Sequence, residues 1–128
     1  MKIAIINVSM NKPYTNYQER LKRTCSEMCS YASQLFWTDE LPPNSRTHKE
    51  SMYGFKAHAF QYAFDLGYDV VLWLDSPTVI KKDIQFIFDK INEDGYFATE
   101  THTKLFQYCN DRTLAYFGIS RDEVKAKG

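Results

Sequence analysis

The chain has 128 residues, with 16 Lys+Arg balanced by 16 Asp+Glu. That length suits a single domain over 1–128, and a formal net charge of zero lacks the basic excess with which nucleic-acid binders neutralise phosphates, so no nucleic-acid partner is expected. Apolar runs such as Val70 to Leu74 fall far short of the ~20 residues that cross a bilayer, so no membrane span is expected.

Lys2 to Val8 is apolar almost throughout and rich in β-branched residues, which is how a strand covered on both faces reads. Polar Asn7, Ser9, Asn11 and Lys12 break up the apolar start, so no signal peptide is expected. Thr15-Asn16-Tyr17-Gln18 fits a capping box, with Thr15 as N-cap. Tyr17, Leu21, Cys25, Met28 and Ala32 then recur at helical spacing, which predicts an amphipathic helix over 16–31. Gln34 to Trp37 reads as a second strand.

Leu41 to Glu50 lacks any period, and Pro42-Pro43 forbids a helix there. A second helix is predicted over 51–66, stopped by Gly67. Asp69 to Leu74 is the strongest strand and ends at Asp75-Ser76-Pro77. Asp83 to Asn92 carries Ile84, Ile87, Phe88 and Ile91 on one helical stripe, Gly95 closes it, and Tyr96 to Thr99 reads as a fourth strand. Two short helices finish the chain, one capped by Asp111 and ended by Gly118, the other opened by the capping box Ser120 to Glu123. Strands alternating with helices specify an α/β, Rossmann-like domain whose sheet is mostly parallel, with helices on both faces.

In such sheets ligands bind beyond the carboxyl ends of the strands, near the point where strand order reverses. Three places are thereby nominated: Asn7-Val8-Ser9, Thr38-Asp39 and Asp75-Ser76. Asp75 either caps the turn at Ser76-Pro77 or accepts from sugar hydroxyls, or it ligates a metal. Lys56 is either a solvated helix lysine or the cation that meets a diphosphate at the helix start. His48 either orients a phosphate or simply faces solvent. Cys25 and Cys29 stand one helical turn apart, but without two further ligands they read as core rather than zinc ligands. Three cysteines, an odd number, argue against disulfides and for a reducing, cytoplasmic compartment. No GxSxG, GxxxxGK[ST] or GxGxxG is present, and the Phe and Tyr residues at helical spacing read as core.

The stretch FKAHAFQYAFDLGYDVVLWLDSPTVIKKDIQFIF resembles the GT-A nucleotide-sugar glycosyltransferases. There, a helix opening near a basic residue runs through a Gly-Tyr-Asp turn into an apolar strand that ends in an Asp-x-Asp motif. The resemblance covers most of the chain, with Lys2 to Ser9 as the first nucleotide-binding strand. It implies that Asp75 contacts the ribose and sugar of a nucleotide-diphosphate sugar, that Ser76 is the middle motif position, and that Asn7, Val8 and Ser9 lie where base and ribose rest. Lys56 matches a donor-contacting basic position, and Thr47-His48 belongs to the same pattern.

The cofactor implied is Mn²⁺ or Mg²⁺ on Asp75, although Pro77 stands where the second, metal-binding Asp would be. Such enzymes also continue into an acceptor-binding region, so a compact or truncated relative is expected, and Glu100, His102 and Asp111 carry no assignable role. The leading expectation is therefore a glycosyltransferase-like domain that binds a nucleotide-diphosphate sugar and passes the sugar to an acceptor hydroxyl. A non-catalytic module of the same fold is the alternative. A phosphorylated receiver domain ranks last, because Asn7-Val8-Ser9 lacks the acidic pair such a domain needs after its first strand.

Overall fold

A computed structural model describes residues 1–127. The chain comprises two compact units, Met1–Phe97 and Ala98–Gly128. The first unit holds a three-stranded, all-parallel open sheet in the order β2-β1-β3. Its strands are β1 (Ile3–Ser9), β2 (Ser33–Thr38) and β3 (Val70–Trp73), joined by helices α1 (Tyr14–Met28) and α2 (Gly54–Asp65), and α3 (Gln85–Asp94) follows β3.

β1 is central, so all seven of its residues are buried, the polar Asn7 and Ser9 included. Alternation along it divides the core in two. Ile3 and Ile5 pack with Leu21 and Cys25 of α1 and Phe88 of α3. Ile6 and Val8 pack instead with Ala59 and Ala63 of α2 and with Trp37 and Val71. Helices therefore cover both faces, α1 and α3 on one and α2 on the other. The chain leaves β1 toward β2 and later returns to the opposite side of β1 as β3, which puts the reversal of strand order between β1 and β3.

Several boundaries differ from the sequence expectation. α1 starts at Tyr14 after Pro13, and no side chain caps it, so Thr15 and Gln18 do not form the expected box. Gln18 is drawn inward because a buried amide satisfies groups that no solvent reaches. α2 starts three residues late, because Thr47 and Glu50 close their own turn: Thr47 N and Oγ1 both donate to Glu50 Oε2, at 2.9 and 2.7 Å. These bonds hold the Glu50 carboxyl below its usual pKa.

The fourth strand expected over Tyr96 to Thr99 does not form; these residues are irregular, and Tyr96 is 70% exposed. Strand propensity without a pairing edge or a packed face leaves the backbone unpaired. Gly67 and Gly95 do end their helices in the left-handed conformation, with φ of 83° and 86°.

The second unit contains a 3₁₀ turn (Leu105–Gln107) and helices α4 (Asp111–Phe117) and α5 (Arg121–Ala126). Asn110, one residue before the expected Asp111, caps α4, whereas Ser120 caps α5 as expected through Glu123 N. Arg121 ties the unit together, donating to the Phe106 and Cys109 carbonyls and to Asp111. Cys25, Cys29 and Cys109 are free thiols, and among the described residues no helix is long and apolar enough to cross a membrane.

Candidate functional site

Along β3 the side chains alternate. Val70, Leu72 and Leu74 belong to the core under α1 and α3, while Val71 and Trp73 belong to the core under α2. The same period carries Asp75 to the α2 side and Ser76 to the α1 side. Asp75 therefore emerges beyond β3 beside the first turn of α2. Its Oδ1 accepts the Trp73 indole N–H at 2.6 Å and lies 3.5 Å from Lys56 Nζ.

The ammonium of Lys56 is framed by rings, 4.7 Å from the centroid of Trp73 and 5.3 Å from that of Tyr53. Such cation–π contacts hold a charge in place without neutralising it. His48 meets Tyr53 edge-on at 4.9 Å, and Phe55 fills the space between Tyr53 and Trp73. Asp75, Lys56 and His48 of the sequence expectation thus belong to one aromatic-lined cluster.

Ser76 turns the other way. Its Oγ accepts from Asn7 Nδ2 at 3.2 Å, and the same amide nitrogen donates to the Leu74 carbonyl at 2.8 Å. Gln18 Nε2 donates to Asn7 Oδ1 and to the Trp37 carbonyl, both at 2.8 Å, and Thr38 Oγ1 donates to Gln18 Oε1. One buried network therefore clamps the carboxyl ends of all three strands to α1. Asn7 and Gln18 are fully buried within it, and Val8 and Ser9 are buried alongside. Asn7, Val8, Ser9 and Ser76 are thus buried at the carboxyl ends of the strands, while Asp75, Lys56 and His48 lie on the α2 side.

Ser9 Oγ is buried with no hydrogen-bond partner. At the third nominated place, Asp39 Oδ1 accepts from Asn11 N at 2.7 Å and Asp39 N donates to the Ser9 carbonyl at 2.8 Å, which pins the loop after β1. From the α1 side Arg20 reaches the same crevice: its guanidinium donates to the Pro77 carbonyl at 3.2 Å.

Three contributors were not legible as site residues. Trp73 reads as strand core, yet its position two residues before Asp75 was the available signal, because residues i and i+2 share a face. Tyr53 carries a φ of 58°, a left-handed conformation that suits Asn or Asp and is uncommon for an aromatic residue. Arg20 gave no signal, since its reach depends on how α1 lies against the turn at Pro77. A separate cavity of about 480 Å³ runs along the open edge of β3 between α2 and α3, lined by Phe60, Phe64, Leu72, Trp73 and Ile91, and it includes neither Asp75 nor Lys56. Charged and polar groups gather at the reversal of strand order, whereas the cavity is lined mainly by apolar side chains, with Asp69 and Asn92 among them.

For the Mn²⁺ or Mg²⁺ that the resemblance implies, Asp75 is the one side-chain carboxylate at residues 75–77, and its side chain is 69% exposed. Asp75 Oδ1 already serves an indole N–H and an ammonium, Ser76 Oγ serves Asn7, and the Pro77 carbonyl serves Arg20. Among the described residues, no three His, Cys, Asp or Glu side chains gather as a metal-binding group. Compared with protein-family models, curated proteins and solved structures, the chain gives no match.

Proposed function

We propose that the first unit is a GT-A-like domain that binds a nucleotide-diphosphate sugar at the carboxyl end of its sheet and transfers the sugar to an acceptor hydroxyl. The observation that carries this reading is the Asp75–Lys56 pair, 3.5 Å apart where the strand order reverses, with the pair walled by Trp73 and Tyr53. A carboxylate accepts from vicinal hydroxyls, and an ammonium beside it meets the charge of a diphosphate. Exposed Tyr53 supplies a ring face, and His48 behind it a further donor.

In transfer, charge grows on the departing diphosphate, and a fixed cation aimed at that charge is the main source of stabilisation. A second reading, donor binding without transfer, draws support from the charged neighbour of Asp75: it is a lysine, and no carboxylate is paired there to take the acceptor proton. Release of free sugar or a glycosylated product from the bound donor separates the two readings.

Thermal unfolding of the chain with a panel of nucleoside diphosphates and their sugars tests the site itself. At ~100 times its dissociation constant the right ligand adds about 2.7 kcal/mol of stability, and Asp75→Ala removes that shift. A panel without any shift, or a shift that survives Asp75→Ala, contradicts the reading.

A further inference from the structure

We propose that the open edge of β3 is a docking site for an extended segment of a partner protein. The segment adds as a further strand, is apolar on both of its sides, and carries a basic residue at the end that meets Asp69.

β3 pairs only with β1, so the backbone N–H and C=O groups of Val71 and Trp73 point out of the sheet. Natural proteins blunt such edges with a lysine, a proline or a bulge. Val70–Trp73 has none of these: it reads Val-Val-Leu-Trp and keeps an unbroken register against β1. The edge opens into the cavity of about 480 Å³, and every residue lining that cavity belongs to the first unit. Phe60 and Phe64 of α2 line it as a stacked pair with ring centroids 6.4 Å apart, and Phe64 is half exposed. Ile91 of α3, followed by Tyr96 and Phe97, completes the wall. A strand laid along Val71 and Trp73 sends alternate side chains to the two faces of the sheet, and here α2 covers one face and α3 the other. Both sets of side chains therefore meet apolar walls, as in a strand covered on both faces.

The backbone groups decide the chemistry of the occupant. An extended polypeptide offers donors and acceptors in alternation, whereas a small apolar molecule would fill the cavity and leave the edge N–H groups dry and unpaired. Charge adds a second criterion. Asp69 is the one charged side chain lining the cavity, and its Oδ2 accepts the Lys2 backbone N–H at 2.6 Å. The Lys2 ammonium goes instead to the Leu66 carbonyl at 3.2 Å and to the face of Tyr68. Among the described residues no side-chain cation pairs with Asp69. A carboxylate left at the end of an apolar groove selects an arginine or lysine there.

The test uses the full chain and the peptide Arg-Val-Leu-Val-Leu-Arg, which presents a basic residue at either end and so serves both strand directions. Excess peptide is expected to slow amide exchange at Val71 and Trp73 by about tenfold or more, with Leu72, already paired to β1, unchanged. The same peptide with prolines at its central leucine and valine lacks the N–H groups and is expected not to bind. Phe64→Ser and Tyr96→Ser, both at exposed rings, are each expected to weaken binding by about five- to tenfold, with thermal unfolding showing that the variants fold. Asp69→Asn keeps an acceptor for the Lys2 N–H and is expected to cost about threefold, a loss that disappears when the arginines of the peptide are replaced by glutamines.

Absence of saturable binding, binding that leaves exchange at Val71 and Trp73 unchanged, or equal binding of the proline peptide overturns the proposal. Unchanged affinity in both Ser variants, or in Asp69→Asn, overturns the stated occupant. Protection of the two amides without any peptide also overturns it: protection that grows with chain concentration assigns the edge to a second copy, and protection independent of concentration assigns it to a segment of the chain itself.

Discussion

Asn7 looks from its position like a ligand contact, since it sits near the carboxyl end of β1 where the crevice opens. Its amide is instead used up: both of its polar atoms bond to Leu74, Ser76 and Gln18, and the residue is fully buried. Removing one partner from a buried network leaves the others without hydrogen bonds, which costs about 1–3 kcal/mol. Asn7→Ala is therefore expected to lower the denaturation free energy by about 2 kcal/mol while ligand affinity changes little. A variant of unchanged stability that has lost its ligand would show that Asn7 acts on the ligand instead. The Tyr31–Asp83 pair gives a second residue-scale test. Tyr31 Oη donates to Asp83 Oδ1 at 2.7 Å, and this bond, with the Gln85 backbone N–H, holds the Asp83 carboxyl below its ordinary 3.8. Burial and then Asp83 itself push the Tyr31 hydroxyl up. A carboxylate whose folded pKa is depressed contributes stability above its unfolded pKa and loses it as pH falls through the folded value. Tyr31→Phe should thus destabilise more near neutral pH than at about pH 2, measured by urea unfolding at both. Equal losses at the two pH values would contradict this.

Among the elements, β3 is the informative one. It pairs with β1 on one side only, through Val70 N to the Lys2 carbonyl at 3.2 Å and Leu74 N to the Ile6 carbonyl at 3.3 Å. In a parallel strand alternate residues direct both backbone groups to the same neighbour, so Leu72 faces β1 while Val71 and Trp73 face the open edge. Amide exchange in the native protein should be slow at Leu72 and clearly faster at Val71 and Trp73. Uniform protection across the three would show that another strand covers this edge. The elements also mark where sequence pattern suffices. The largely apolar run of β1, the Leu21 and Cys25 positions of α1, the stripe of α3 and the glycine stops at Gly67 and Gly95 are dictated by burial and backbone freedom and were legible, whereas α1 ends at Met28, short of the expected 31, with Met28 exposed and Ala32 beyond it. Tyr96 to Thr99 has the residue types of a strand but no paired edge, and that lack is a property of the fold, not of the four residues.

At the level of the whole molecule, the alternation of strands and helices specified a parallel sheet, and the rule for such sheets nominated the carboxyl ends of its strands before any coordinate. Asp75 was nominated because it ends the strongest strand, and Lys56 because it opens the helix before it; their approach to 3.5 Å joins two separate expectations. The surroundings were less legible. Trp73 was taken for core because an apolar strand hides which of its residues lie at an edge, and Gln18 was assigned to a cap because an S/T-x-x-E/Q pattern carries no mark of burial. Arg20 depends on helix placement, which no local pattern encodes. The chain has two tryptophans, and they occupy different places: Trp73 donates its indole N–H to Asp75, whereas Trp37 lies buried against Tyr62 at 5.5 Å. Their indole N–H resonances therefore report on the crevice and on the core separately. The most direct measurement is a two-dimensional nitrogen–proton titration with a nucleotide-diphosphate sugar. The expected result is a saturable shift of the Trp73 indole with the Trp37 indole unmoved, lost in Asp75→Asn. A Trp73 indole that stays fixed while the ligand binds would contradict a nucleotide-sugar site at Asp75 and Lys56.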